Sequence, residues 1–148
     1  MAVRKSLSVE DGNLNSRSII GTRTREYSDI DLSFRNKTNG DIYSKNDAQA
    51  VRQAVSTLLQ TNFGERPYNY YFGANIRAML GELATPDTYN EVKTNVKLAF
   101  ENWEPRAELL NTEVDGQIDR NELRVSVTFR VKSTDEIVRV ETSFARLR

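Results

Sequence analysis

The chain has 148 residues, with 38% hydrophobic and 28% charged side chains, which is typical of a single globular domain. Its 21 basic residues balance 21 acidic ones, so its net charge does not indicate a nucleic-acid partner. Histidine and cysteine are missing, which excludes disulfides, Cys/His zinc sites and catalysis by an imidazole or a thiol. No apolar run is long enough for a transmembrane helix, and Met1–Glu10 lacks the apolar core of a secretory signal. We therefore expect no membrane partner and a chain that works in the cytoplasm.

Residues 1–27 are polar and show no sustained hydrophobic period; Ile19 and Ile20 are their main apolar side chains. A segment of this composition buries too little apolar surface to offset the entropy lost when it becomes ordered. We therefore expect an extended N-terminal arm that is flexible in the isolated chain and orders against a partner. The remaining residues, 28–148, are expected to form one domain.

The first element predicted in this domain is a strand. Apolar and polar residues alternate over Tyr27–Phe34, which is typical of a half-buried strand. Its apolar face would consist of Ile30, Leu32 and Phe34. The dipeptide Asn39-Gly40 predicts a turn, and residues 41–43 predict a short return strand.

Three helices are predicted next. Apolar residues at helical spacing indicate an amphipathic helix over residues 47–61, which Asn46 or Asp47 could cap. A short helix over residues 74–80 follows a loop that is rich in glycine and aromatic residues. The third helix is expected to start at Thr85-Pro86-Asp87, where threonine caps, proline fits the first turn and aspartate complements the helix dipole. Pro105 should stop it near Trp103.

The period changes to two beyond Pro105, which indicates strands. Leu109, Leu110 and Val114 predict one strand, ended by Asp115-Gly116. The clearest alternation covers residues 123–132, and a turn then leads into a last strand over residues 137–144, so the pair is predicted to form a β-hairpin. The predicted fold class is α+β, with about three helices on one face of a small, mostly antiparallel sheet.

Carboxylates are the only candidates for catalysis, and their surroundings are unfavourable. Glu65, Glu82 and Glu104 lie near helix ends, but Arg66 and Arg106 stand beside two of them. A nearby cation lowers the pKa of a carboxyl group, whereas a glycosidase acid needs a raised pKa. No phosphate-binding glycine motif occurs, and the acidic pair in the first strand is more typical of a solvated face than of a cation site. We expect no enzyme activity, no metal and no cofactor.

Two motifs favour contact with other proteins. Tyr68, Tyr70, Tyr71 and Phe72 lie within five residues beside Arg66, and tyrosine and arginine are enriched in interface hot spots. Without a basic stripe, we expect these rings to pack under the helices or against protein rather than to stack on bases. The tripeptide Glu104-Pro105-Arg106 should form a rigid corner, with Arg106 pointing outward and contributing little to the core. The alternative is an ordinary helix end, with Arg106 near the last carbonyl groups.

The order and spacing of several motifs over residues 28–148 resemble a known family, the baseplate wedge or sheath-initiator proteins of contractile phage tails. Relatives occur in type VI secretion and other contractile injection systems. The matching motifs are Asp29-Ile30-Asp31-Leu32-Ser33-Phe34, Asp47 with Ala50-Val51 and Leu58-Leu59, Gly64-Glu65-Arg66-Pro67-Tyr68, Phe72-Gly73, Leu80, Pro86 and Glu104-Pro105-Arg106.

This resemblance implies a structural protein of the virion tail baseplate. Glu104, Pro105 and Arg106 would contact the other wedge proteins, and Glu65, Arg66 and Pro67 would brace the same region. The tail sheath protein would be a second partner, whose first ring adds strands to an edge of the sheet, and tube or hub proteins are further candidates. The family is often described as lysozyme-like, so a muramidase remains an alternative, as does a regulatory binding module such as a bacterial anti-adaptor.

The resemblance does not identify the sheet edge that accepts the sheath. We expect the last strand, because no later element can cover it and because it carries charged residues typical of protected edges. The expected contact residues are Arg139, Glu141 and Ser143.

Overall fold

The computed structural model of this protein describes residues 27–82, 85–117 and 122–145. Residues 1–26, which make up nearly all of the predicted arm, lie outside these ranges, so the expected flexibility of the arm stays a prediction. The described residues form helices and antiparallel strands in separate parts of the chain, which confirms the α+β class.

Three helices occur where the sequence predicts them. Helix α1 spans Ala48–Gln60, α2 spans Ile76–Met79 and α3 spans Pro86–Trp103. The predicted cap of α3 is confirmed, because Thr85 Oγ1 accepts a hydrogen bond from the Thr88 N–H (3.3 Å). The α1 cap differs, since the Asp47 side chain makes no capping bond and its Oδ1 accepts from the Tyr27 N–H (3.3 Å). Asp47 thereby ties the first described residue to the start of α1.

The main sheet has three antiparallel strands in chain order. Strand β3 spans Ala107–Gln117, β4 spans Glu122–Val131 and β5 spans Ile137–Ala145. Strands β4 and β5 confirm the predicted hairpin, with bounds within one residue of the prediction. Its register is regular from Arg130 opposite Ile137 to Glu122 opposite Ala145.

The helices cover one face of this sheet, as predicted. Side chains of α1 and α3 and alternate residues of β4 and β5 share one apolar core. Its largest fully buried side chains are Phe129, Leu59, Ile76, Val51, Val55, Val92, Val96, Val125, Val127 and Val131. The ring of Phe100 from α3 lies 5.8 Å, between centroids, from that of Phe129 on β4. The apolar faces of the helices and of the strands therefore pack together in one core.

The first predicted strand is mostly wrong. Strand β1 spans only Ser28–Ile30 and pairs with β2, Ser44–Asn46, rather than with residues 41–43. The residues expected on a half-buried face are more than half exposed: Ile30 (57%), Leu32 (52%) and Phe34 (64%). The cause is a turn at Asp31, whose Oδ1 accepts from the Ser33 N–H (3.0 Å) and whose C=O accepts from the Phe34 N–H (3.1 Å).

Strand β3 also departs from the prediction, because it does not end at Asp115-Gly116. Gly116 pairs with Leu123 and the ladder runs on to Gln117. A side chain at position 116 would collide with the hydroxyl group of Tyr89 from α3, so glycine here permits close helix–sheet packing rather than a turn. Near the other end, the register shifts between Leu109 and Asn111, and this irregularity leaves Leu110 exposed.

Candidate interaction surfaces

The Glu104-Pro105-Arg106 corner connects α3 to β3. The helix closes with the Glu104 N–H bonded to the Phe100 C=O (3.0 Å), and the Ala107 N–H then bonds to the Glu104 C=O (3.2 Å). Pro105 between them is exposed. The end of β4 holds the corner from the other side, since Lys132 donates its N–H to the Arg106 C=O (3.0 Å) and its Nζ to the Pro105 C=O (2.6 Å). The backbone of the corner is therefore fixed by both the helix and the sheet.

The side chain of Arg106 does not point freely outward, and this expectation was wrong. Its Nε and Nη2 donate to the two carboxylate oxygens of Glu104, at 2.7 and 2.8 Å. Glu104 is only 4% exposed, so Arg106 supplies the hydrogen bonds that water would otherwise give its carboxylate. The hydrogen bonds to Glu104 raise the pKa of Arg106. Arg106 is therefore part of the bonding that holds the corner together, as well as a candidate contact residue.

Tyr27 completes the surroundings of Arg106. The Arg106 guanidinium carbon lies 5.5 Å from the centroid of the Tyr27 ring, and the Asp29 carboxylate adds to the favourable field. Tyr27 is in turn bonded to Asp47, so the β1–β2 ribbon, α1 and the corner meet at one place. Sequence reasoning missed Tyr27 and Lys132 as parts of the corner. The position of Lys132 follows once β3 and β4 are paired. Ala107 lies opposite Val131, so in an antiparallel pair the preceding residue Arg106 lies opposite the following residue Lys132.

The second motif, Glu65-Arg66-Pro67, lies in the loop between α1 and α2. The Glu65 carboxylate accepts from the Asn62 N–H (3.0 Å) and from the Asn62 side chain (2.8 Å). These bonds lower the pKa of Glu65, so the direction of the predicted shift is confirmed but its expected cause, Arg66, is wrong. Arg66 instead lies over the Phe72 ring, 3.7 Å from its centroid.

The two motifs are linked through aromatic rings. Phe72, held against Arg66, makes an edge-to-face contact with Trp103 at the end of α3 (5.3 Å between centroids). A chain of two contacts therefore joins Arg66 through Phe72 to Trp103, the residue before Glu104. Arg66 is therefore connected to the helix end beside the corner through two rings, and the Glu65 carboxylate bonds to Asn62 within its own loop.

The expectation that some rings of this loop pack under the helices is confirmed for Phe72, and contact of the others with protein stays a prediction. Phe72 packs against the core, whereas Tyr68, Tyr70 and Tyr71 are exposed. Tyr71 makes edge-to-face contacts with Tyr70 (5.1 Å) and Phe63 (6.2 Å), so these rings form a cluster at the surface. Gly73 fixes the loop on α1, because a Cβ there would collide with the Thr61 C=O and its φ is +122°.

Strand β5 pairs only with β4 in the described part of the chain. The Val131 N–H donates to the Glu136 C=O (2.9 Å), which fixes the direction of alternate N–H groups along β4. In an antiparallel ladder, opposite residues form either two N–H···O=C bonds with each other or none, and the two kinds of pair alternate along the strands. Because the register is regular, Val140 and Thr142 belong to the bonded pairs, and their N–H and C=O groups point toward β4. The N–H and C=O groups of the alternate β5 residues therefore point away from β4: Arg139, Glu141 and Ser143.

The side chains of these three residues lie on the sheet face that carries no helix. Arg139 bridges Glu141 on its own strand (3.0 Å) and Glu113 on β3 (3.2 Å). Ser126 on β4 stands between Glu113 and Glu141 in the register and is buried beneath this bridge. A second set joins Arg130 to Glu108 (2.6 Å), and this contact lowers the pKa of Glu108. The open face therefore carries exposed ion pairs, with Ile137 as an exposed apolar side chain at the start of β5.

The acidic side chains of the described residues are dispersed or paired with cations. These residues contain no cluster of three or more acidic side chains able to hold a metal ion. Asp31, one of the two first-strand aspartates, is paired with Lys45 (3.1 Å). Among the helices of the described ranges, none is both long and apolar enough to cross a membrane. The notable features of these residues are two surfaces, the corner and the β5 edge.

Comparison with known proteins identifies the family. Residues 45–136, more than half of the chain, match the family described as Baseplate wedge protein gp25. The chain belongs to this family. A curated member, the baseplate wedge protein gp25 of Enterobacteria phage T4, is 29% identical over 120 residues, which covers 80% of this chain and 91% of that protein.

Solved structures share the fold of this gp25-family chain. A protein described as a putative tail lysozyme from Geobacter sulfurreducens is 25% identical, covers 66% of this chain and 89% of its own, and has a TM-score of 0.59. A chain of the anti-feeding prophage baseplate is 19% identical over 72% of this chain and 86% of its own, with a TM-score of 0.65. A chain of the postcontracted Pyocin R2 baseplate is 16% identical over 81% and 99%, with a TM-score of 0.53. The last two likenesses concern the fold alone.

Proposed function

We propose that this chain is a structural component of the wedge in a contractile-tail baseplate and that it acts within the virion. Its membership of the gp25 family supports this role, since the phage T4 relative is a baseplate wedge protein. Two contacts are proposed. The 104–106 corner, braced by residues 65–67, joins other wedge proteins, and the β5 edge starts the sheath.

The observation that carries sheath initiation is the direction of the β5 backbone. Arg139, Glu141 and Ser143 direct their N–H and C=O groups away from β4, and an incoming strand of the sheath protein could pair with them. Strand addition depends on main-chain hydrogen bonds and sets a defined register. One edge of this kind on each wedge protein would give the first sheath ring its starting position.

A proline at Glu141 tests this edge. Glu141→Pro removes an N–H that no strand of the described domain uses, and Glu141→Ala keeps it. We expect tails with complete baseplates and tubes but without sheath for the proline variant, and normal sheath for the alanine variant. Normal sheath with a folded Glu141→Pro protein would exclude this edge and leave β3, the opposite edge of the same sheet, and residues 28–30 as the strands to test.

The corner is tested with a variant that preserves the ion pair. Arg106→Lys keeps a cation beside Glu104 but loses the planar fork that binds both carboxylate oxygens. We expect the variant to fold and to co-purify poorly with the other wedge proteins. Normal melting together with normal co-purification would show that the corner does not form the contact.

A muramidase is the second candidate, favoured by the likeness to the Geobacter sulfurreducens protein. Against it, the buried carboxylate at position 104 is neutralised by Arg106, and the pKa of Glu65 is lowered, whereas a glycosidase acid needs a raised one. We propose a non-enzymatic protein. Purified protein should leave peptidoglycan suspensions turbid, and clearing that a Glu65→Gln or Glu104→Gln change abolishes would support the enzyme instead.

A further inference from the structure

A groove runs beside the corner, between α3 and the bulged end of β3. Its volume is about 650 Å³, and Glu104 and Pro105 line one end of it. The apolar part of the lining comes from Phe100, Leu109 and Leu110. We propose that this groove binds an acidic segment of a wedge partner that also carries apolar side chains. The inference names the chemistry of the partner at the proposed wedge contact and therefore rests on that proposal.

The charges of the groove support an acidic occupant. Lys93 and Lys97 line it from α3 and Lys132 from the end of β4. Its acidic residues are largely engaged elsewhere, because Glu104 is bound by Arg106 and Glu108 by Arg130. The remaining contact, between Lys97 and Glu101, is long (3.9 Å) and exposed.

One of the lysines, Lys93, lacks an acidic partner in the groove. In the part of the chain that the structure describes, Lys93 forms no ion pair, whereas Lys132 donates to the Pro105 carbonyl oxygen and contributes to the lowered pKa of Glu108. The groove therefore presents more available positive than negative charge, although the whole chain is neutral. An acidic segment is complementary to this local excess.

The shape of the groove supports a protein segment rather than a nucleic acid. Lys93, Lys97 and Glu101 lie on successive turns of α3, so the wall is about 12 Å long, or two helical turns. The bulge near Leu110 exposes 47% of this leucine at the opposite wall. A single-stranded nucleic acid would instead need exposed rings for stacking, and the groove residues include no exposed aromatic side chain.

The direct test measures binding of defined probes to the whole protein. The first probe is a labelled amphipathic peptide of glutamate and leucine, the second has glutamine at every glutamate, and the third is a single-stranded oligonucleotide. We expect the glutamate peptide alone to bind, to weaken with added salt, and to shift the NMR amide signals of Lys93, Lys97 and Leu110. Equal binding of the glutamine peptide, or tighter binding of the oligonucleotide, would overturn the inference.

Charge reversal supplies matched variants. Lys93→Glu with Lys97→Glu should weaken the glutamate peptide at least about fivefold, as expected for the loss of two exposed ion pairs. Arg35→Glu with Arg52→Glu changes the net charge equally at exposed positions outside the groove, and should leave binding unchanged. Equal losses for both double variants would show non-specific attraction and refute the groove.

Assembly separates this inference from the proposed function. If Lys93→Glu with Lys97→Glu joins the wedge normally while Arg106→Lys fails, the groove is refuted and the wedge contact is retained. If Arg106→Lys and the double lysine variant both assemble normally, the wedge contact itself is refuted.

Discussion

The corner and the β5 edge differ in what they leave available to a partner. At the corner, the charged groups of the motif bind one another, and Glu104 is almost fully buried beneath Arg106. At the edge, the side chains form exposed ion pairs while backbone groups point away from the sheet. A change that removes the bonds between Arg106 and Glu104 is therefore expected to lower stability as well as to disturb the proposed contact. A change of an edge side chain leaves the backbone that would do the binding intact.

The largest expected effect separates inward-facing from outward-facing positions of β5. Val140→Pro should lower the free energy of unfolding by roughly 3 kcal/mol, because a buried β4 carbonyl loses its donor and the core loses a valine side chain. Glu141→Pro should cost no more than about 1 kcal/mol, because proline is tolerated on the free side of an edge strand. Urea unfolding measures both.

Alanine variants at the same two positions isolate the backbone effect. Val140→Ala removes the side chain and keeps the donor, and Glu141→Ala does the same at the outward position. The alanine value is subtracted from the proline value at each position. If the two proline variants then lose similar free energies of unfolding, the assigned backbone directions are wrong.

The next effect concerns the buried ion pair of the corner. Arg106→Ala should lower the free energy of unfolding by about 2–3 kcal/mol, because Glu104 remains buried without its bidentate partner. The double variant Glu104→Ala with Arg106→Ala should lose less than the sum of the two single changes. Thermal or urea unfolding of the four proteins gives this coupling, and strict additivity would show that the pair does not act as a unit.

A smaller effect is expected from the ion pairs of the open sheet face. Arg139→Ala should change the free energy of unfolding by less than about 1 kcal/mol, because its contacts with Glu113 and Glu141 are exposed. Added salt should reduce even this difference. If Arg139→Ala lowered the free energy of unfolding as much as Arg106→Ala, the ion pairs of the two surfaces would not differ in their contribution to stability.

The smallest effect is the pH dependence of stability. The pKa values of Asp31, Glu65 and Glu108 are lowered, by the Ser33 N–H, by Asn62 and by Arg130 respectively. A lowered pKa in the folded state stabilises the fold above the ordinary pKa, and this contribution is lost as the pH falls through the folded value. With ordinary values of 3.8 and 4.5, we expect a decline below about pH 4.5.

Between about pH 5 and pH 8 we expect a flat profile, because the chain has no histidine or cysteine to titrate there. Urea midpoints across this range measure it. A marked change near neutral pH would mean that a carboxyl group of this chain has a strongly raised pKa.

Much of the fold follows from periodicity in the sequence. The apolar spacing of α1 and α3 and the alternation in β4 and β5 each predict an element that the structure contains, because burial on one face imposes those periods. The errors arise where one contact overrides the pattern. Asp31 bends an alternating segment into a turn, and Gly116 continues a strand because Tyr89 takes the space of its missing side chain.

The sequence motifs of the candidate surfaces could be predicted, but the side-chain partners and backbone directions could not. The spacing of Glu104 and Arg106 does not reveal that the two side chains bind each other, since this depends on how β3 leaves the helix end. The roles of Tyr27 and Asn62 depend on residues brought together only by folding. The direction of the β5 backbone likewise requires a known register.

Lys132 connects the sheet to the corner, and this connection has a mechanical consequence. Its main chain and its ammonium group both hold the corner, and it directly follows β4, the strand that carries β5. A load applied along β5 would pass through the β4 ladder and these two bonds to the end of α3 without crossing a long loop. Antiparallel strands pulled along their axes share such a load among many hydrogen bonds at once. We therefore expect a pull between the β5 edge and the corner to extend the domain little.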